Sequence, residues 1–153
     1  MKIADMEYLL ALDAPPDCEA GANFDPIKEY AVVESLGQDL SSISGHNLKL
    51  DMSIQDASFF ADWVAYEDLP RPHPNFPSGA IHTILRIRFS AFGRMFSIWC
   101  DSDLFPISED RRHRIIEYLM ERDLVYAPDS LLELPYHHPE WFPNWGVRYF
   151  DYL

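Results

Sequence analysis

The sequence is poor in glycine and cysteine, and these shortages exclude several kinds of site. Six glycines among 153 residues leave little material for a phosphate-binding loop, and there is neither a Gly-rich nucleotide motif nor a Gly-x-Ser-x-Gly nucleophile motif. The two cysteines, Cys18 and Cys100, stand far apart and lack the spacing of a zinc site or a redox pair. We therefore expect two reduced thiols, and no metal and no cofactor.

Basic side chains are also scarce. Twelve Lys and Arg face 25 Asp and Glu, a formal net charge of −13. Because binding of nucleic acid or of an anionic membrane needs clustered Lys and Arg, we expect neither as a partner. The longest apolar run near the start, Tyr8–Leu12, is too short for a signal-peptide core or a membrane span, so we expect a cytoplasmic protein.

Apolar residues are plentiful, at 48%. This is enough for one domain, residues 1–153, with a core that needs no disulfide or metal ion to stabilise it. The strongest local signal is a hairpin within Ala80–Asp101. Apolar and polar residues alternate along Ala80–Ala91 with one break at Ile84, Gly93 provides a turn, and Met95–Cys100 alternates on the way back. We expect the remaining elements to pack around this hairpin.

The other elements follow from periodicity and capping. Asp25 before Pro26 is typical of a helix start. Gly37 either lies inside this helix or ends a shorter one. The pattern predicts helices at Pro26–Ile43 and Ser108–Arg122, and further strands at Leu48–Gln55, Phe59–Tyr66 and Trp145–Asp151.

The assignment of three stretches is less direct. Phe59–Tyr66 fits a short helix nearly as well as a strand, and the type of the apolar cluster near Tyr8–Leu12 is ambiguous. The proline-rich stretch Pro70–Pro77 is interpreted as a stiff connector rather than a recognition segment. The predicted fold class is α+β: a single antiparallel sheet of about 4–5 strands with two main helices packed on one face.

Candidate functional residues lie in two regions. Seven aromatic residues fall between Tyr136 and Tyr152, and they serve either as a lid over the sheet or as a binding surface. The first hairpin strand carries a basic face, which we interpret as arginines paired with carboxylates of flanking segments. Asp101 and Asp103 are assigned to a solvated loop rather than a cation site. The candidate binding residues are Tyr136, His137, Trp141, Trp145, His82, Arg86 and Arg88.

These observations favour a non-catalytic protein-interaction module, of the antidote or regulator type, that binds a basic protein partner. Two alternatives remain open. One is a small-ligand-binding domain, and the other is a hydrolase-like enzyme with a His/carboxylate site near the aromatic C-terminal region, using His137 or His82.

The alternation along the first hairpin strand predicts that Leu85 and Ile87 are buried. Leu85→Ala and Ile87→Ala should each lower the free energy of unfolding by roughly 2–5 kcal/mol, as large-to-small core changes do. Chemical denaturation measures this, and a midpoint that stays almost unmoved in both variants would show that the period had been misread.

Overall fold

The computed structural model describes residues 2–52, 54, 57–68, 81–101 and 107–151, and it confirms the α+β class. The elements in chain order are β1 (Lys2–Ile3), α1 (Met6–Leu12), α2 (Pro26–Ser35), α3 (Gly37–Ser44), β2 (Lys49–Asp51), β3 (Phe59–Asp68), β4 (Ile81–Ser90), β5 (Met95–Cys100), α4 (Glu109–Met120), β6 (Val125–Tyr126), α5 (Asp129–Leu132) and α6 (Trp145–Phe150).

Within the described ranges, the sheet has six strands in the order β1-β6-β5-β4-β3-β2. Strands β2 to β5 form an antiparallel meander, whereas β6 lies between β5 and β1 and is parallel to both. The predicted single antiparallel sheet of 4–5 strands is therefore only roughly correct. The parallel part arises because the chain crosses over through α4 before β6, as a parallel connection requires.

The central hairpin is confirmed. Leu85 pairs with Cys100, Ile87 with Ile98 and Phe89 with Phe96, and Leu85 and Ile87 are buried. Strand β3, predicted as Phe59–Tyr66, forms and extends to Asp68. The predicted helix Ser108–Arg122 is α4, with the Ser108 side chain accepting from the Arg111 N–H as an N-cap.

The strand predicted at Leu48–Gln55 is much shorter. Strand β2 spans Lys49–Asp51 and pairs with β3 at the sheet edge, so fewer ladder hydrogen bonds hold it than hold a central strand. Gln55 and the proline-rich stretch Pro70–Pro77 lie outside the described residues. Cys18 and Cys100 are free thiols.

The chain forms two helices that meet at Leu36, not one helix over Pro26–Ile43. Of the two interpretations of Gly37, the one with a shorter first helix is therefore closer to the structure. The Asp25 cap and Pro26 start were right. The junction between α2 and α3 packs against Trp63, whose indole N–H donates to the Val33 carbonyl at 2.9 Å. A Cβ on Gly37 would overlap the Trp63 ring, so this close approach needs glycine.

The C-terminal strand predicted at Trp145–Asp151 was wrong, because these residues form the helix α6. Asn144 caps it, with its side chain accepting from the Val147 N–H at 2.8 Å. A six-residue helix buried on nearly all sides shows neither the two-residue nor the 3.6-residue alternation clearly.

Helices pack on both faces of the sheet, not on one. Ile87 and Phe89 of β4 belong to the core that includes residues of α2, α3 and α4. Arg88 and Ser90 alternate with these residues along β4, and their side chains donate hydrogen bonds to the Phe150 and Tyr149 carbonyls of α6. Since successive strand side chains point to opposite faces, α6 covers the face opposite the larger core.

Gly37→Ala should destabilise the protein by about 1–3 kcal/mol, the usual cost of overpacking, because the Trp63 ring must move. Gly21→Ala is the matched control, since the nearest atom to its Cβ would be 3.4 Å away, and its effect should stay within about 0.5 kcal/mol. Urea denaturation compares the two variants, and equal effects would show that the Trp63 contact does not constrain the helix junction.

Candidate functional site

The candidate site centres on a surface loop between α5 and α6, Leu134–Pro143, named here the aromatic loop. Its ends are joined by a bridge between Pro135 and Asn144, and the Trp145 N–H donates to the Leu134 carbonyl at 3.3 Å. The His138 carbonyl accepts from the Trp141 N–H at 2.9 Å. These backbone bonds give the loop a defined shape.

The aromatic residues of this region divide into a buried base and an exposed tip. Tyr136 is buried and meets Trp145 and Phe142 edge-on, at ring centroid distances of 4.7 and 5.3 Å. Trp145 is only 1% exposed, whereas Trp141 is 48% exposed and packs against the His138 ring at 4.4 Å. The buried base therefore fits the interpretation as a lid over the sheet, whereas the exposed tip stays the candidate for a binding surface.

One carboxylate, Asp13, joins the base of the aromatic loop to the rest of the molecule. Its Oδ2 accepts from the Tyr136 hydroxyl at 2.7 Å and lies 2.8 Å from Nε2 of His137. Its Oδ1 accepts from the Arg148 Nε–H and from the Ala14 N–H, both at 3.1 Å. Asp13 thus contacts the aromatic loop and α6 at the same time.

Arg148 supplies the opposite charge from within α6 and is completely buried. Besides Asp13, its guanidinium donates to the carbonyls of Cys18 at 3.1 Å and Ala14 at 3.2 Å. It also lies over the Phe92 ring, 4.8 Å from the centroid. A buried guanidinium needs such a complete set of acceptors, because an unpaired charge in the interior is costly.

These contacts shift two pKa values in opposite directions. Burial alone would raise the pKa of Asp13. The hydrogen bonds from Tyr136, Arg148 and the Ala14 N–H, together with the Arg148 charge, hold this pKa below its ordinary value. Burial raises the pKa of Tyr136 to about 12, and its hydrogen bond to Asp13 adds to this shift. At neutral pH the site therefore holds a carboxylate and a neutral phenol.

The predicted basic face of β4 forms a separate cluster that also anchors α6. Arg88 is buried and makes two hydrogen bonds to Asp62, at 2.8 and 2.9 Å, and a third to the Phe150 carbonyl at 2.7 Å. Arg86 Nε lies 3.4 Å from the same carboxylate. These arginines are paired as expected, although the partner comes from the neighbouring strand β3 rather than from a flanking segment.

His82 is the candidate that the structure places elsewhere. His82 lies near the beginning of β4, and its Nε2 is 2.6 Å from Oδ2 of Asp101. Arg88 and Ser90, which contact α6, lie near the end of β4. The candidate residues thus form three groups. The first group, the aromatic loop together with Trp145, contains Tyr136, His137, Trp141 and Trp145. The second group is Arg86 with Arg88, and the third contains His82, which pairs with Asp101. Asp103 lies outside the described residues.

Asp13 and Arg148 were missing from the candidates derived from sequence. They are 135 positions apart. Asp13 lies shortly before Pro15 and Pro16 and belongs to no motif or periodic pattern in the sequence. Arg148 did offer a signal, because a single charge within the apolar run Trp145–Phe150 predicts a buried partner.

The arrangement offers imidazole and carboxylate chemistry next to an exposed aromatic surface. In the described ranges, no group of three or more His, Cys, Asp or Glu side chains could hold a metal ion, and no helix is long and apolar enough to cross a membrane. Comparison of the chain with protein-family models, with curated proteins and with solved structures finds no match.

The lowered pKa of Asp13 makes part of the stability depend on pH. Since the folded-state pKa lies below the unfolded one, the contribution of ionised Asp13 is fully present above the ordinary carboxyl pKa and is lost as the pH falls through the lowered value. Asp13→Asn should cost about 3–5 kcal/mol at pH 7 because it leaves Arg148 without its partner charge. The difference between wild type and variant should shrink as the pH falls below about 4.

Urea denaturation at several pH values between 7 and 3 measures this difference. Asp17→Asn, a change of equal charge at an exposed nearby position, is the control and should have little effect. A gap between wild type and Asp13→Asn that grows on acidification would contradict the assigned role of the carboxylate.

Proposed function

We propose that this chain is a non-catalytic protein-interaction module that binds a basic protein partner through the aromatic loop. The observation that carries this proposal is the half-exposed Trp141, held on a loop whose base is tied to the core by Asp13 and Tyr136. A large aromatic side chain presented on an ordered support is typical of residues that dominate binding energy at protein interfaces.

The distribution of charge supports a basic partner. Arg88 and Arg148 are buried and paired within the chain, so their charge is not presented to a partner. Many carboxylates are exposed, and two of them, Glu133 and Glu140, flank the aromatic loop or lie in it. The exposed carboxylates in the described ranges are Asp5, Glu7, Asp17, Glu19, Asp25, Glu34, Asp39, Glu67, Glu109, Asp110, Glu117, Glu121, Asp123, Asp129, Glu133, Glu140 and Asp151.

Trp141 and Glu140 together suit an Arg or Lys side chain of the partner. The Trp face attracts a cation through its quadrupole, and the neighbouring carboxylate is 60% exposed, although it already lies 3.3 Å from the His138 ring nitrogen Nδ1. Long-range attraction between the acidic surface and a basic partner should speed encounter, while the desolvated aromatic contact should set the lifetime of the complex.

The test begins with capture of partners on the tagged chain from native lysate, followed by binding kinetics with the purified partner. Trp141→Ala should speed dissociation about tenfold or more, as loss of a hot spot does, and should leave association nearly unchanged. Higher salt should instead slow association, because exposed charges are screened beyond roughly 8 Å at 0.15 M ionic strength.

Trp99→Ala is the matched control, since Trp99 is 40% exposed but belongs to β5 and not to the aromatic loop. It should bind as the wild type does. A captured partner that is not basic, an association rate that ignores salt, or equal effects of the two tryptophan variants would contradict the proposal. Trp145→Ala is unsuited to this test, because Trp145 is a core residue and its loss acts on folding.

A hydrolase-like enzyme is the second candidate, and the His137–Asp13 pair is the observation that favours it. A carboxylate on one ring nitrogen orients an imidazole, whose other nitrogen can then act as a general base. A panel of chromogenic ester and phosphate-ester substrates would distinguish the two functions. Turnover that is lost in His137→Gln but kept in His138→Gln would favour the enzyme, whereas no turnover would favour the interaction module.

A further inference from the structure

A cavity of about 530 Å³ lies apart from the exposed tip of the aromatic loop. It opens between the end of α1, the loop Gly21–Phe24, the first turn of α2 and the β4–β5 turn. Its volume falls in the range of pockets that hold small molecules. Its lining residues are Ala11, Leu12, Asp13, Ala14, Gly21, Ala22, Asn23, Phe24, Lys28, Glu29, Ser90, Ala91, Gly93 and Arg94.

The backbone at one wall places an arginine where glycine is usually found. Gly93 and Arg94 form the two-residue turn of the hairpin, with φ values of 60° and 56°, and the Met95 N–H donates to the Phe92 carbonyl across it. Such turns favour Gly at these positions, because L side chains rarely adopt positive φ. Arg94 thus has a strained backbone conformation, and its side chain lies at the cavity.

The guanidinium of Arg94 is held at the cavity by Glu29, and not all of its hydrogen-bond donors are used. Its Nε lies 3.3 Å from Oε2 of Glu29, but no hydrogen bond with suitable geometry reaches this buried nitrogen in the structure as described. A guanidinium has five N–H donors. The buried Nε faces Glu29, but the side chain as a whole is 37% exposed. The donors available to a further acceptor are therefore those of the Nη atoms, which make no hydrogen bond to a described residue.

The local balance of available charge is positive. The Asp13 carboxylate is already occupied by Arg148, Tyr136, His137 and the Ala14 N–H, and Glu29 pairs with Arg94. Lys28 adds a second cation, and no described carboxylate pairs with its ammonium group. The described surroundings of this cavity therefore carry a surplus of cationic donors, although the chain as a whole has a net charge of −13.

We propose that this cavity binds a small organic anion. Its carboxylate or phosphate group would contact Arg94 and Lys28, and its apolar or aromatic body would pack against Leu12 and Phe24. Arg presents its donors in a fork that matches the oxygens of both groups. Asp13 lines this cavity and also contacts the base of the aromatic loop, but the anion would not contact Trp141. The anion-binding proposal is therefore tested separately from the protein-interaction proposal.

Amide chemical shifts of the ¹⁵N-labelled protein, titrated with benzoate, phenyl phosphate and benzylamine, test the proposal. At least one of the two anions should give saturable shifts at Gly21, Asn23, Lys28 and Gly93, and the comparison between them shows whether the site prefers a carboxylate or a phosphate. Benzylamine, which has a similar ring and the opposite charge, should give no such shifts.

Arg94→Gly separates binding from folding, because glycine adopts the positive φ without strain. This variant should keep its unfolding midpoint and lose about tenfold or more in affinity for the anion. Lys49→Gln, which removes a cation from the distant edge strand β2, should bind as the wild type does. Absence of binding by both anions, equal binding of benzylamine, shifts mapped elsewhere or unchanged affinity in Arg94→Gly would each overturn the proposal.

Discussion

The ion pair between Asp13 and Arg148 is the contact on which the candidate site depends. It joins the turn after α1 to two consecutive segments more than 120 positions further along the chain, the aromatic loop and α6. A buried pair of this kind adds little net stability relative to apolar residues of the same size, but removal of one partner leaves an expensive unpaired charge. The pair therefore selects one arrangement of these segments.

Two buried arginines, Arg88 and Arg148, attach α6 to the rest of the molecule. Arg88 reaches the Phe150 carbonyl from the sheet, and Arg148 reaches the carbonyls of Ala14 and Cys18 from the helix. Both use backbone oxygens that lie outside regular ladders, which satisfies buried polar groups on each side. A short helix with no strong propensity of its own is thereby fixed by tertiary contacts. The position of Trp141 on the aromatic loop therefore depends on this network.

Local signals made the central part of the fold predictable from sequence, whereas contacts distant in sequence did not leave such signals. The hairpin alternation, the Asp25 cap and the Ser108 cap each depend on residues a few positions apart. Strand β6 has two residues, and its parallel pairing has no local pattern. Trp145–Phe150 is apolar on nearly every side, so its period was misread. Of the site, the aromatic segment and His137 were identifiable, but Asp13 was not, because its side-chain partners lie more than 120 positions away.

Amide hydrogen exchange of Arg148→Met, compared with the wild type, tests the central role of this ion pair most directly. Methionine keeps much of the apolar volume and removes the guanidinium. Exchange should accelerate in the turn after α1 and in the aromatic loop, while β4 and β5 keep their protection, because only the joined segments open locally. Unchanged exchange in both segments, or a uniform increase that includes β4 and β5, would contradict the claim that this ion pair holds the site together.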